Sequence, residues 1–392
     1  MRNLLLTTAL AASVGSLAAS QAIGAVPSSH ASLQPGTIGV ALLQPASGPF
    51  AAHNLVLARG VAVAVRQLNA AGGIDKKVKV DLVGRRLEPG GSATRAIASL
   101  DRSVRVVIVP CNVDQTGALA AAAAKRGLLT LAPCNPDAPA MAKIPRTWPV
   151  AMSGSDQAAQ LVDYTTTNKA KSAFILTSRP ASAYETALAR ALRTAAERAG
   201  MRIAGQASVA QAATKLSGLA KQIQQSKAQV IFTPIASPYV EAIIAKLRAA
   251  HVTTAIFGTD GMDAQLELSQ YSQDALKDVY FTSYGFPRVA SKPFFREYGR
   301  EFHQVPLGSF SGLGLETVRT LEAAVDRAGS IDPARLDAVF AHGFQITGAA
   351  LADRRYPGGG ARRPVTDVGI VELIRNTYFP LTSSVPASIR AR

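Results

Sequence analysis

Cys111 and Cys134 are the only thiols in a chain of 392 residues. Each ends a run of aliphatic and β-branched residues, Val106–Val109 before the first and Leu128–Leu131 before the second. Two thiols at corresponding points of successive strand-like runs have three chemical fates: a disulfide, a pair of buried free thiols, or part of a metal site. The metal fate is disfavoured because no histidine or third cysteine is near in sequence. The five histidines, His30, His53, His251, His303 and His342, form no His-x-x-x-His or Glu-spaced metal pattern. "GSFSG" (308–312) has Phe310 where a nucleophile elbow needs serine. Neither a Walker loop nor a dinucleotide fingerprint follows any strand-like run. The sequence therefore predicts no catalytic residues, no cofactor and no resident metal. His53 alone stands where it could reach a cleft, and one histidine is not a mechanism.

The first 22 residues, "MRNLLLTTALAASVGSLAASQA", carry Arg2, an apolar stretch through Leu17 and then small residues. Ser20-Gln21-Ala22 is an acceptable small-x-small cleavage site, so residues 1–22 are expected to be a secretory signal. The apolar part is too short and too interrupted to span a bilayer, and no later stretch reaches 18 apolar residues. Export to the periplasm is the expectation, and an oxidising compartment favours the Cys111–Cys134 bond. The formal charge of +16 falls to +15 without Arg2. Such charge invites a nucleic-acid reading. Basic residues are spread along the whole length, however, and no helix-turn-helix or zinc finger is visible, so no nucleic-acid partner is expected. The densest basic stretch, "DRRYPGGGARRP" (353–364), reads as a solvated Gly-rich loop.

Roughly 370 mature residues are enough for two lobes with separate cores. "TIGVALL" (37–43) is a continuous apolar run, as in a strand buried on both faces. "NLVLARGVAVAVRQLNAAGG" (54–73) has helical apolar spacing and stops at Gly72-Gly73. "KVKVDLVG", "VRVVIVP" and "GLLTLAP" continue the strands with helical segments between. After Trp148 the cycle restarts: "KSAFILTS", "MRIAGQASV", "AQVIFTP" and "TAIFGTD" alternate with helices. A regular strand–helix alternation, run twice, predicts an α/β fold of parallel sheets covered by helices.

Ser47-Gly48-Pro49-Phe50, Arg59-Gly60 and Asn69–Ile74 stand in the order and spacing that open the type I periplasmic solute-binding proteins of ABC transporters. More narrowly, the chain resembles their branched-chain amino acid (Leu/Ile/Val-binding) group. "SGSDQ" (153–157), "AYETALA" (183–189), "FGTDG" (257–261) and "LETVRTLEAAVDRAGS" (315–330) fit successive segments, so the resemblance covers about residues 37–350. It implies two Rossmann-like lobes joined by three hinge crossings, closing on a ligand. From element order, lobe 1 is placed at 36–152 plus 284–343 and lobe 2 at 153–283 plus 344–380, with a tail at 381–392. The crossings fall near 150–153, 283–286 and 342–346. The implied role is the periplasmic substrate-binding component of an ABC importer, acting as a monomer that hands a small polar solute to a membrane permease. An amino acid or a related amide or organic acid is the solute class. A ligand sensor of the same fold, or a descendant that no longer binds, are the alternatives.

The resemblance also proposes site residues. Phe50, Asn112, Asn135, Tyr184, Asp260 and Tyr284 are the cleft candidates. Asp260 matches the acidic residue that receives the ligand's ammonium group, although an aspartate before Gly261 also suits a turn. Tyr184 matches a tyrosine on the second-lobe side. Asn112 and Asn135 stand where relatives hold the ligand carboxylate, but Pro136 has no N–H to give, and Asp114 is expected to cap the next helix. Ala236 or Ser237 replaces an aromatic wall. The family's usual disulfide pairs the position of Cys111 with an earlier segment that has no cysteine here. Val106–Val109 and Leu128–Leu131 as adjacent parallel strands would instead bring Cys111 to Cys134.

Overall fold

The computed structural model describes residues 36–48, 50–111, 114–134, 141–263, 271–272, 274–303, 308–347, 351–374 and 377–390. The proposed leader, Asn112 and Asn135 lie outside them.

The first sheet is built from β1 (Thr37–Pro45), β2 (Lys79–Leu87), β3 (Val104–Ile108), β4 (Leu129–Ala132) and β5 (Thr147–Pro149), in the order β2-β1-β3-β4-β5 with every pair parallel. Its central strands β3 and β4 are mostly apolar, with Arg105 and Thr130 the exceptions, because helices cover both faces. On one face, Leu119, Ala120 and Ala123 of the alanine-rich helix Thr116–Lys125 pack on Val107 and Ala132. On the other face, helix Ala51–Ala70 joins helix Phe310–Ala328, and both contribute to the core containing Val40, Val106 and Leu131.

The second sheet takes β6 (Ser172–Arg179), β7 (Arg202–Ala210), β8 (Val230–Thr233), β9 (Ala255–Gly258) and β10 (Val279–Ser283). These parallel strands run in the order β10-β9-β8-β6-β7. A small antiparallel sheet follows: β11 (Phe344–Ile346), β12 (Arg354–Tyr356) and β13 (Val365–Thr366). The chain then returns as β14 (Val368–Ile374) and β15 (Thr377–Ser384), which add antiparallel to the edge of the second sheet at β10.

Two expected boundaries shift. The described strands between 344 and 366, β11 to β13, do not join the second sheet. Phe344, Ile346, Leu351 and Tyr356 are buried in the core beneath the first sheet, because four aromatic rings, Trp148, Phe340, Phe344 and Tyr356, stack there. The buried Arg354–Glu316 pair, 2.6 Å apart, pins the same segment to helix Phe310–Ala328, and the Leu351 N–H donates to the other Glu316 oxygen. The return to the second sheet comes at Val368. At the end of the chain, residues 381–384 belong to β15 and helix Ala387–Arg390 follows, so the expected tail is mostly structured.

Cys111 and Cys134 are bonded, with Cα atoms 5.0 Å apart. The parallel β3–β4 register sets the two strand ends side by side. The bond closes a loop with a sequence separation of 23, for which chain entropy gives about 3 kcal/mol of stabilisation. Cys111→Ala/Cys134→Ala is accordingly expected to lower the thermal midpoint by several degrees. An unchanged midpoint would show that the bond carries no such constraint.

Candidate functional site

The strand ends of both sheets point into the same space. Phe50 follows β1, Cys111 follows β3, Ala236 follows β8, Thr259 and Asp260 follow β9, and Tyr284 follows β10. Carboxyl ends of parallel strands are where α/β sheets bind ligands, because side chains from different turns converge there.

Phe50, Tyr184, Leu188 and Ala236 form a buried cluster that joins the two halves of the molecule. The Phe50 and Tyr184 rings meet edge to face at 4.8 Å. Beneath them the Tyr184 hydroxyl donates to Asp260 Oδ1 at 2.7 Å, lies 2.8 Å from Thr259 Oγ1 and accepts from the Gly261 N–H at 2.9 Å. Tyr284 donates its hydroxyl to Asp260 Oδ2. Four of the six candidate residues, Phe50, Tyr184, Asp260 and Tyr284, therefore converge, all buried. Asn112 and Asn135 lie outside the described residues.

Local structure explains the placements. Phe50 has φ 63°, the left-handed region that costs an L-residue roughly 1–2 kcal/mol. Asn54 holds it there: its amide Nδ2 donates to the Phe50 carbonyl at 2.8 Å and to the Cys111 carbonyl at 3.0 Å, while its Oδ1 accepts from the Cys111 N–H at 2.7 Å. One buried side chain thus ties the aromatic wall to the disulfide loop. Tyr184 enters in the first turn of helix Ala183–Arg198, where Ser182 accepts from the Glu185 N–H, and Glu185 in turn accepts from Ser178. Gln157 carries the Asp260 loop, accepting from the Asp260 N–H at 3.0 Å and from Thr282 Oγ1 at 2.6 Å. Its helix starts in a capping box of Ser153 and Asp156, a device that satisfies two N-terminal donors reciprocally. Gly261 is needed because a Cβ there would sit 2.9 Å from the Tyr184 hydroxyl and 2.8 Å from Ala236 Cβ.

Sequence reasoning did not give Asn54, Gln157 or Phe310 a role here. "SGSDQ" and "GSFSG" marked two of the three as segments without assigning the side chains. His53 does reach the site: its ring packs on Phe50 at 5.2 Å and Phe310 at 4.8 Å. Asp114 is not the expected cap. The N-cap of helix Thr116–Lys125 is Gln115, without a side-chain bond. Asp114 instead lines a cavity of about 200 Å³ at the rim with Ser47, Phe50, Glu88 and Ser182.

Burial and the Asp260 carboxylate push the Tyr184 and Tyr284 phenols well above their ordinary value, so both remain donors. Burial lowers His53 to about 4, against the opposing pull of Asp260, and leaves it neutral near pH 7. Burial raises Asp263 to about 6 despite the Ser309 N–H and hydroxyl, which donate to its Oδ2. The two shifts have opposite consequences. The unfolded chain protonates His53 first as pH falls from 6.5, so this group loses stability down to about pH 4. The folded chain protonates Asp263 first, so that group regains stability as pH falls through 6 toward 3.8. Each contribution is on the order of 3 kcal/mol. Between pH 6 and 4 they oppose, and wild-type stability is expected to vary little from these two groups. Asp263→Asn should unmask the histidine, giving a midpoint that falls steadily from pH 6.5 to 4. A flat profile in that variant would contradict the assignment.

A buried carboxylate, two phenols and an aromatic wall, placed between two sets of parallel-strand ends, make a site that can enclose a small molecule. Residues 37–375 match the family model of the periplasmic binding proteins, and the chain belongs to that family. A Leu/Ile/Val-binding protein of Rhizobium johnstonii is 25% identical over 312 residues, which is 79% of this chain and 83% of that protein. The structure of the branched-chain amino acid transporter substrate-binding protein from Streptococcus pneumoniae, in complex with isoleucine, is similar at TM-score 0.77. It is 18% identical and covers 89% of this chain and 100% of that one. An ABC-transporter solute-binding protein of R. palustris, in complex with benzoate, is similar at TM-score 0.73 and 17% identity. Here the coverage is 90% of this chain and 97% of that chain. The α/β fold and the family read from the residues are both borne out.

Proposed function

We propose that the protein is the extracytoplasmic solute-binding component of an ABC importer, and that it captures a small polar solute by closing two lobes on it. The observation that supports this most is the convergence of Phe50 and of Tyr284, which packs in the first core, with Tyr184 and Asp260 from the second half on one buried centre. Asp260 is the residue that meets a cationic or hydrogen-bond-donating group of the solute, since a carboxylate is acceptor-only. Phe50 and Tyr184 close the wall over it. The relatives with known ligands include an isoleucine binder and a benzoate binder, and an acidic centre with a neutral histidine suits the donor-bearing class better than an anion.

The leader at 1–22 would carry the chain across the membrane, and the partner there would be an ABC permease. Thermal unfolding of the refolded, ligand-free mature protein tests the reading against amino acids, amides, aromatic acids and amines. A solute at 1,000 times its Kd adds about 4 kcal/mol, so the correct one should raise the midpoint by several degrees. No shift across the panel would count against a binding role.

A further inference from the structure

Five rings and one carboxylate close a cycle of contacts at the site. Phe50 packs on His53 with centroids 5.2 Å apart, His53 on Phe310 at 4.8 Å, and Phe310 on Tyr284 edge to face at 5.3 Å. Tyr284 and Tyr184 then donate to opposite oxygens of Asp260, and Tyr184 returns to Phe50 at 4.8 Å. No member is more than 5% exposed. Phe50, His53 and Phe310 come from the starts of the two long helices beneath the first sheet, Tyr284 from the end of β10, and Tyr184 and Asp260 from the second half. Separating the two halves would therefore open the cycle at two points, between Phe50 and Tyr184 and between Tyr284 and Asp260, and closing them would complete it around a guest.

The chemistry of this cycle selects among donors. A primary ammonium carries three N–H bonds and needs directional acceptors for them. Here each Asp260 oxygen already accepts a tyrosine hydroxyl, which takes about half of the carboxylate's lone-pair directions, and four of the remaining five members present aromatic carbon faces and edges. An alkylated ammonium has few or no N–H bonds and spreads its charge over methyl groups. It draws its stabilisation from ring faces and from a nearby negative charge without displacing a hydrogen bond. His53, kept neutral by burial, adds a ring and no repulsion. An anionic head group would meet Asp260 unfavourably at this end of the site.

We propose that the Phe50–His53–Phe310–Tyr284–Asp260–Tyr184 cycle is a cage for an alkylated ammonium group, so that the solute is a methylated amine. This rests on the solute-binding reading above.

Calorimetric titration of the refolded protein with choline and with 3,3-dimethylbutan-1-ol, its uncharged isostere, tests the cage, with L-isoleucine and benzoate run in parallel. Choline is expected to bind at least about 100-fold more tightly than the isostere. Phe310→Leu should weaken choline about tenfold and leave the isostere unchanged. Equal binding of choline and the isostere overturns the cage. Binding of isoleucine or benzoate with choline silent overturns the cage and leaves the solute-binding reading standing. Silence from all four overturns the cage and counts against the reading as well.

Discussion

Asp260→Ala is expected to weaken solute binding at least about 100-fold, the largest functional effect of any single substitution. The carboxylate is buried at the point where both halves of the molecule meet, and it accepts from Tyr184 and Tyr284. A charged acceptor in such surroundings contributes about 1.5–3 kcal/mol to each hydrogen bond it makes, and more where water is excluded. Its removal also leaves two buried phenol hydroxyls without their acceptor, at about 1–3 kcal/mol each. The midpoint should therefore fall together with affinity. Asp260→Asn separates the two effects, because an amide oxygen still accepts one phenol while the charge is gone. A variant that keeps its midpoint but loses the solute would place the charge itself in recognition. Unchanged affinity in both variants would remove Asp260 from the site.

The second large effect is structural. Gly60→Val is expected to destabilise the first half by about 3 kcal/mol or more, lowering its midpoint by roughly 6–12 °C. Helices Ala51–Ala70 and Phe310–Ala328 touch backbone to backbone at this point. A Cβ on Gly60 would lie 2.2 Å from the Ser311 carbonyl oxygen, and one on Gly314 would lie 2.5 Å from the Leu57 oxygen. Neither obstacle is a flexible side-chain tip, so the helices themselves must part. That separation would move the starts of both helices, where Phe50, His53 and Phe310 sit. Gly117→Ala is the control: a Cβ there meets nothing within 4 Å, and helix propensity favours the change by several tenths of a kcal/mol. Equal behaviour of the two variants would contradict the close approach.

Gly60 illustrates what the sequence carried. The Arg59-Gly60 pair was visible as a family feature, but the need for glycine became physical only with the partner helix in place, some 250 residues later in the chain. The strand–helix alternation was legible because apolar runs and helical spacing are local signals. The Cys111–Cys134 bond was legible for the same reason, since it needs only two neighbouring parallel strands. The path of residues 344–366 was not. Strands of two or three residues carry no readable periodicity, and their place is set by Trp148, Phe340 and Glu316, of which Trp148 is about 200 residues away. At the candidate site, Tyr184 and Asp260 were named through the resemblance of the segments around them, and the structure brings the two side chains into contact. Asn54 and Gln157 were missed because a buried amide reveals itself only through the backbone groups it satisfies.

Hydrogen–deuterium exchange with and without the solute that gives the largest midpoint shift tests the central claim most directly. The account predicts slowed exchange confined to residues 50–61, 183–188, 257–263 and 280–284, which carry the contacts between the two halves. Protection concentrated instead on the outer groove of Arg319, Glu322 and Gln345, with these segments unchanged, would contradict it.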